Sequence, residues 1–393
     1  MKVAYIAPMV TTDIDLSYLK YAQSIGDVTY FMPVFMTDHN GSAIGIKHFY
    51  PHTGIYKAVD IYPELKKWSD WVDIDKFYVI NVSSQHAWNV ICLWLYFKMM
   101  IKLRDFDIIH LNGNPLNFYE WFFYIHSKKI LQTLHDPLPH SDRKFNTFIW
   151  RLRRNLCFRW INHFWILNSS QKQECIRINH LENKHVYDGA LSRYDCIREN
   201  LNHKNITYTE RHTYFLFFGG VSRYKGIDYL LEAMKRVHTQ YPNMRLIVAG
   251  KGKYPFDITE YQQLDYIEFR NRFIPDDELA ALIQGAYCAV CPYKDATQSG
   301  VVMSAFAFNK PIIATNVGGL PEQVEHDKYG LIVPPCDVDA LANAMMHLLS
   351  HPEKLQEYAD NIERDYSEGP KSWNEIAKKL NVIYHEIAET NKQ

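Results

Sequence analysis

No apolar run in this 393-residue chain approaches the ~20 residues that a membrane-crossing helix needs. Trp88–Met100 comes nearest, but Lys98 breaks it and Lys102 follows. The chain also lacks a basic surplus. A net charge of −1 leaves little with which to neutralise a run of phosphates, which excludes a general nucleic-acid binder. Cysteine is sparse, odd in number at seven, and scattered. Its one C-x-x-C, Cys288 and Cys291, sits in an apolar run with no second pair or histidine cluster, so it reads as buried structure and no metal site is expected. Internal repeats and low-complexity tracts are absent. The opening MKVAYIAPMV carries a single basic residue and then turns polar, which fits a first β-strand better than a signal peptide. A reducing, cytoplasmic setting is the expectation.

What is present is an ordinary globular composition, 47 % hydrophobic and 22 % charged, in a chain long enough for two domains. Aromatics reach 15 %, many of them in the N-terminal half, which suits an aromatic core or a stacking, membrane-near surface. Short apolar runs alternate with helical patterns. Strands are expected at Val3–Ala7, Asp107–Leu111, Ile130–Leu134 and Phe164–Leu167, with a helix beginning near Ser17 and a capping signal at Asn168-Ser169-Ser170. The second half repeats the rhythm: strands at Tyr214–Phe218, Arg245–Ala249, Tyr266–Phe269, Cys288–Cys291 and Pro311–Ala314, and helices at Gly226–Thr239, Pro275–Gly285, Val301–Phe308 and Ser372–Glu389. Strands separated by helices imply parallel β-α-β units, so the fold class is α/β with two Rossmann-like domains. The polar segment Leu201–His212 marks the boundary, giving domains at 1–205 and 206–365 and a closing segment at 366–393.

In such sheets ligands bind beyond the carboxyl ends of the strands, so chemistry is sought in those loops. FFGGVSRYKGIDYLLEAM (217–234) ends a strand in Gly219 and Gly220 and places Arg223 and Lys225 before a helix. Glycine lets backbone approach a ligand, and the two cations suit phosphate oxygens. A tight turn with solvated cations reads as well. CPYKDATQSGVV (291–302) runs from a strand through Thr297, Gln298, Ser299 and Gly300 into a helix beginning near Val301. Free N–H groups and the positive end of the helix dipole suit an anion; simple capping by Thr297 or Ser299 is the alternative. NVGGLPE (316–322) is a glycine turn with proline opening a helix. LIVAGKG (246–252) ends in Gly250-x-Gly252, and without the full dinucleotide fingerprint it excludes a nicotinamide enzyme.

Taken in order, these elements resemble the donor domain of the retaining, GT-B-type glycosyltransferases of the family 4 group, over about Tyr214 to Ser350. The resemblance implies a nucleoside diphosphate sugar as donor, a glycan or lipid-linked acceptor, retention at the anomeric carbon, no cofactor and no essential metal. It also implies donor contacts from Gly219, Gly220, Gly250, Asn271, Phe273, Thr297, Gln298, Ser299, Gly300, Val301 and Ser304, with Arg223 and Lys225 neutralising the leaving diphosphate. In the N-terminal half, Thr133-Leu134-His135-Asp136 resembles the family's strand-end histidine, so His135 joins the candidate catalytic residues; His110 after DII is a less specific histidine. The last helix resembles one that crosses back to the first domain.

One departure stands out. The family carries two glutamates around the donor loop; here those positions fall on Ala296 and Ser304, with Asp295 one residue early. The second glutamate commonly grips the ribose, so Ser304 offers only a hydroxyl there. This keeps two other readings open: a sugar-nucleotide epimerase, which needs no acceptor, and a non-catalytic subunit that binds a nucleotide sugar or glycan. Finally, residues 143–172 contain no acid but hold Arg143, Lys144, Arg151, Arg153, Arg154, Arg159 and Lys172, interleaved with Trp150, Phe158, Trp160, Phe164 and Trp165. This stretch is either an amphipathic helix with a solvated basic face or a contact for a lipid-pyrophosphate acceptor or for an anionic membrane surface at the inner face of the membrane.

Overall fold

Each of the chain's two parallel sheets is buried on both faces, which is why the strands read as unbroken apolar runs instead of alternating ones. The computed structural model describes residues 1–35, 46, 48–82, 90–113, 126, 128–135, 148–202 and 213–390. It divides into two compact units. Of the described residues, one takes those within Met1–Pro139, Arg143–Leu191 and Trp373–Gln393; the other takes those within Ser192–Ser372.

The first unit contains β1 (Lys2–Ile6), α1 (Thr12–Ile25), β2 (Asp27–Phe35), β3 (Gly54–Lys57), α2 (Ala58–Ile61), β4 (Phe77–Val82), α3 (Val90–Lys102), β5 (Ile108–Asn112), β6 (Ile130–Leu134), α4 (Phe148–Trp160), β7 (His163–Ile166), α5 (Lys172–Asn179) and β8 (His185–Asp188). Its strand order is β3-β4-β2-β1-β5-β6-β7-β8, parallel except for the edge strand β3. One core, holding Ile6, Phe31, Ile80, Ile109, Phe164 and Ile166 of the strands, lies beneath Leu95, Tyr96 and Met99 of α3 and Cys157 and Phe158 of α4. Each such side chain contributes roughly 1.5–3 kcal/mol on burial.

The second unit contains α6 (Asp195–Asn202), β9 (Tyr214–Phe218), α7 (Ile227–Gln240), β10 (Arg245–Ala249), β11 (Ile267–Arg270), α8 (Asp276–Gly285), β12 (Cys288–Cys291), α9 (Gly300–Phe306), β13 (Ile312–Thr315), α10 (Leu320–Val324), β14 (Gly330–Val333), α11 (Val338–Ser350) and α12 (Pro352–Ser367). Its order, β11-β10-β9-β12-β13-β14, reverses direction between β9 and β12, which is the topological switch point of a doubly wound sheet. The chain ends in α13 (Trp373–Thr390), which belongs to the first unit and packs on α1, where Tyr18 and Tyr384 share a 3.0 Å hydrogen bond.

Three expectations need correction. The division falls at Leu191–Ser192, ahead of 205/206, because α6 packs against α8 of the second unit. The capping signals act otherwise: the Asn168 carboxamide accepts from Ser170 Oγ at 2.6 Å, and Ser299, though it precedes α9, makes no side-chain cap bond. And Asp27–Phe35 and Phe77–Val82 are central strands that no expectation named. Cys288 and Cys291 are both buried free thiols of β12, pushed by burial up to about 12 and about 11. Three residues apart on a strand they face opposite sides, which suits the structural reading.

Candidate functional site

The loops after β9 and β12 meet at the switch point of the second sheet, and four glycines let them do so. Gly226 (φ +64) follows Arg223–Lys225; a Cβ there would run into the Pro292 carbonyl. Lys294 N donates to Tyr224 O at 2.7 Å, tying the same two loops. Gly219 (φ +109) ends β9, and a Cβ on it would come within 3.3 Å of Val301 Cγ2 in the first turn of α9. Gly318 (φ +51) seats the loop after β13 against Ala296, whose carbonyl a Cβ would strike. Gly250 (φ +149) has the same task toward the Gly219 carbonyl, so its role seen here is to pack two loops together and not to meet a ligand. Gly220 is exposed and faces open space, with only the Lys251 carbonyl 4.0 Å from a notional Cβ.

Two cations stand at this place without acidic partners among the described residues: Arg223, exposed, and Lys225, half-buried. The neighbouring Lys294 differs, being paired with Asp228 at 2.8 Å. Lys225 Nζ lies 3.6 Å from the centre of the Tyr293 ring, a cation–π contact. Burial, opposed by the neighbouring Cys291, lowers its ammonium to about 8. A side chain whose proton is loosened by desolvation regains it when an anion arrives.

Beside them opens α9. Its Ser299 is held from two sides by Gln323, whose Oε1 accepts from Ser299 N at 2.9 Å while Nε2 donates to Ser299 O at 3.4 Å. The Ser299 hydroxyl lies 3.3 Å from Tyr293 Oη. The following amides, Gly300 and Val301, are those a helix start leaves without intrahelical partners. Thr297 and Ser299 are buried, and Ser304 Oγ donates to Gly300 O at 2.9 Å, so the Ser304 hydroxyl has only lone pairs to offer outward. At the ends of β10 and β11, Asn271 Oδ1 accepts from Gly252 N at 3.0 Å, and Phe273 is 50 % exposed. The second unit thus brings together Gly219, Gly220, Arg223, Lys225 and the 297–301 loop. Tyr293, Gln323 and Gly318 were missed: Tyr293 and Gly318 stood in quoted motifs, whereas nothing local distinguishes Gln323.

The first unit has its own polar cluster at the carboxyl ends of β1, β5 and β6. Asp15 is fully buried, and burial lifts its carboxyl to about 7 against the pull of four donors. These are Tyr5 Oη (2.8 Å), Asn112 Nδ2 (2.8 Å), Thr11 Oγ1 (2.8 Å) and Tyr30 Oη (3.2 Å). Because the Asn112 amide donates to Asp15, its Oδ1 is the acceptor facing His135 Nε2 at 2.7 Å. His135 is therefore oriented with its proton on Nε2. His110 is a core residue: its nitrogens lie 2.6 Å from Tyr384 Oη and 2.6 Å from Thr133 Oγ1, and burial lowers it to about 3. Asp136 lies outside the described residues.

The basic, aromatic stretch is also corrected in part. Phe158, Phe164 and Trp165 are buried in the core, so they form no surface; Trp160 and Leu152 are exposed at 52 % and 41 %. Arg143 and Lys144 lie outside the described residues, as do the side chains of Trp150, Arg151, Arg153 and Arg154.

Residues 212–351 match the family model described as "Glycosyl transferases group 1". YtcC of Bacillus subtilis, which carries a glycosyltransferase name, is 27 % identical over 75 % of this chain and 76 % of its own. D-rhamnosyltransferase WbpZ of Pseudomonas aeruginosa is 30 % identical over 39 % of this chain and 40 % of its own. Among solved structures, HepE of Anabaena in complex with UDP superposes with a TM-score of 0.67 at 15 % identity, covering 98 % of this chain and 100 % of that one. Sucrose-phosphate synthase of Thermosynechococcus elongatus gives 0.65 at 18 %, covering 99 % and 100 %. The fold is that of the GT-B glycosyltransferases. The chain is a glycosyltransferase, and its second unit carries the group 1 domain.

Proposed function

We propose that the chain moves a sugar from a nucleoside diphosphate sugar to a hydroxyl of a glycan or lipid-linked oligosaccharide in surface polysaccharide synthesis, with retention at the anomeric carbon and without an essential metal. The observation that carries this reading is a pair of cations without acidic partners among the described residues, Arg223 and Lys225, set beside the start of α9 at the switch point of the second sheet. A departing diphosphate leaves with negative charge, and these groups neutralise it from fixed positions, without reorganisation at the moment of reaction. The leaving phosphate takes the acceptor's proton, so no strong general base is required in the site. His135, its Nε2 proton fixed by Asn112, orients the acceptor hydroxyl. The relative in complex with UDP-glucose supports the choice of donor class.

The test is a panel of nucleoside diphosphate sugars, read by thermal shift and by nucleotide release with and without glycan acceptors. A single donor raising the melting temperature, with release that depends on acceptor, is the expected result. No shift from any donor overturns the reading. An altered nucleotide sugar formed without acceptor replaces it with an epimerase.

A further inference from the structure

A surface helix normally turns charged and polar residues outward. Helix α3 does not. Cys92, Leu95, Tyr96 and Met99 are buried beneath it in the first unit's core, and Leu93, Trp94, Phe97 and Ile101 are exposed at 36, 57, 52 and 44 %. These four, spaced i, i+1, i+4 and i+8, lie on one face. Exposed apolar residues scattered singly need no account; four on one face, two of them aromatic, do. The helix has two lysines and no acid. Lys98 Nζ stands 3.5 Å from the centre of the Trp94 ring, and Lys102 lies over Tyr78 at 4.3 Å. Beyond its end, Lys129 donates to the carbonyls of Leu103, Arg104 and Phe106, with Asp105 and Asp107 as the acids nearby in sequence. Helix α4 covers the same core, has four arginines and no acid, and exposes Leu152 and Trp160.

We infer that the outer face of α3 docks on an anionic lipid bilayer, lying in the interface with Trp94, Phe97 and Ile101 inserted and Lys98 among the headgroups. Tryptophan, large apolar residues and flanking cations without acids are what an interfacial helix needs. Charge decides between a bilayer and a second copy of this chain. A two-fold contact places a patch against itself, so lysine faces would meet lysine faces, whereas an anionic surface complements them. Cations and acids nearly balance over the whole chain, 43 against 44, so two helices without an acid are a local bias that orients the molecule. The proposal stands apart from the donor reading, because vesicle binding is measured without a sugar nucleotide.

The experiment is co-flotation of the full chain with vesicles of pure phosphatidylcholine and of equimolar phosphatidylcholine and phosphatidylglycerol. Expected is at least tenfold stronger partitioning to the anionic vesicles, weakened by salt. The double variant Trp94→Glu/Phe97→Glu loses it by tenfold or more, keeping wild-type melting temperature and donor-induced thermal shift. Phe97→Ser, a milder change, loses part of it. The inference is overturned if the wild type ignores both vesicles or if the variants partition like the wild type. It is equally overturned if the variants convert an oligomer to a monomer or unfold at lower temperature, because the face is then covered by protein.

Discussion

The two units use the carboxyl ends of their sheets in opposite ways. In the second, glycine and backbone make the place: Gly219, Gly226 and Gly318 adopt left-handed conformations, loops close on one another, and the charges left over, Arg223 and Lys225, meet no acid among the described residues. In the first, side chains fill the corresponding crevice. Tyr5, Tyr30, Thr11 and Asn112 all donate to Asp15, and Asn112 passes a fixed orientation to His135. One end gathers positive charge that suits an incoming anion; the other is a polar core that presents His135. A site of the first kind is broken by removing charge, and one of the second kind by unmaking hydrogen bonds.

The largest expected effect follows. Arg223→Ala with Lys225→Ala removes two charge-assisted contacts to the diphosphate, each worth about 1.5–3 kcal/mol. Turnover falls by roughly a hundredfold to ten-thousandfold, measured as nucleotide release at saturating acceptor, while the melting temperature without donor stays within a few degrees. Wild-type turnover in the double variant removes both residues from the mechanism.

In the first unit the matching change is Asp15→Ala. It leaves four donors without their acceptor, three of them buried and Thr11 half-buried, and an unsatisfied buried group costs about 1–3 kcal/mol. A loss of at least about 3 kcal/mol is expected in the earlier transition of a urea titration, since some hydroxyls can turn to other acceptors. The donor's affinity for the second unit stays as it was. If stability holds and donor affinity drops, the division of labour between the units is wrong.

A smaller effect comes from pH. Burial disfavours the charged form of Lys225, so its proton leaves near pH 8 in the free protein. The side chain is cationic below that pH and neutral above it, and a diphosphate binds the cation. Donor affinity is therefore greatest below about 8 and declines above it, by at most about tenfold per pH unit for one proton. Lys225→Arg stays charged throughout and flattens the profile. An unchanged decline in that variant assigns it to another group.

How much of this the sequence revealed follows the same contrast. The second unit was legible because its site is local: glycines, Arg223, Lys225 and the 297–301 loop sit in runs whose spacing carries their meaning, and strands such as Tyr214–Phe218 and Cys288–Cys291 are bounded by turn residues. The first unit's cluster joins residues far apart in the chain, Asp15 to Asn112 to His135, so no window contains it. Strands β2 and β4 escaped notice because Pro33 interrupts the apolar run of β2 and β4 has no glycine at either end. Phe164 and Trp165 were counted in the basic, aromatic stretch as well as in an expected strand, and a strand buried on both faces hides both. Gln323 holds Ser299 across 24 residues of sequence, a contact that only the fold creates.

The smallest expected effect probes the site's ribose end. Ser304 stands where the family resemblance led us to expect a glutamate, and its hydroxyl proton is spent on Gly300 O at 2.9 Å, inside its own helix. A hydroxyl bonded back to the preceding turn contributes little to a helix and can bend it slightly. Ser304→Ala removes that bond and no outward donor. The expected change in donor affinity is under about twofold, with stability moving by less than about 1 kcal/mol, measured by titration calorimetry with the best donor of the panel and by thermal melting. A loss of tenfold or more would mean that Ser304 turns its hydroxyl to the ribose once donor is bound. Side chains would then serve both ends of that place, and the second unit would differ less from the first than its glycine-built loops imply.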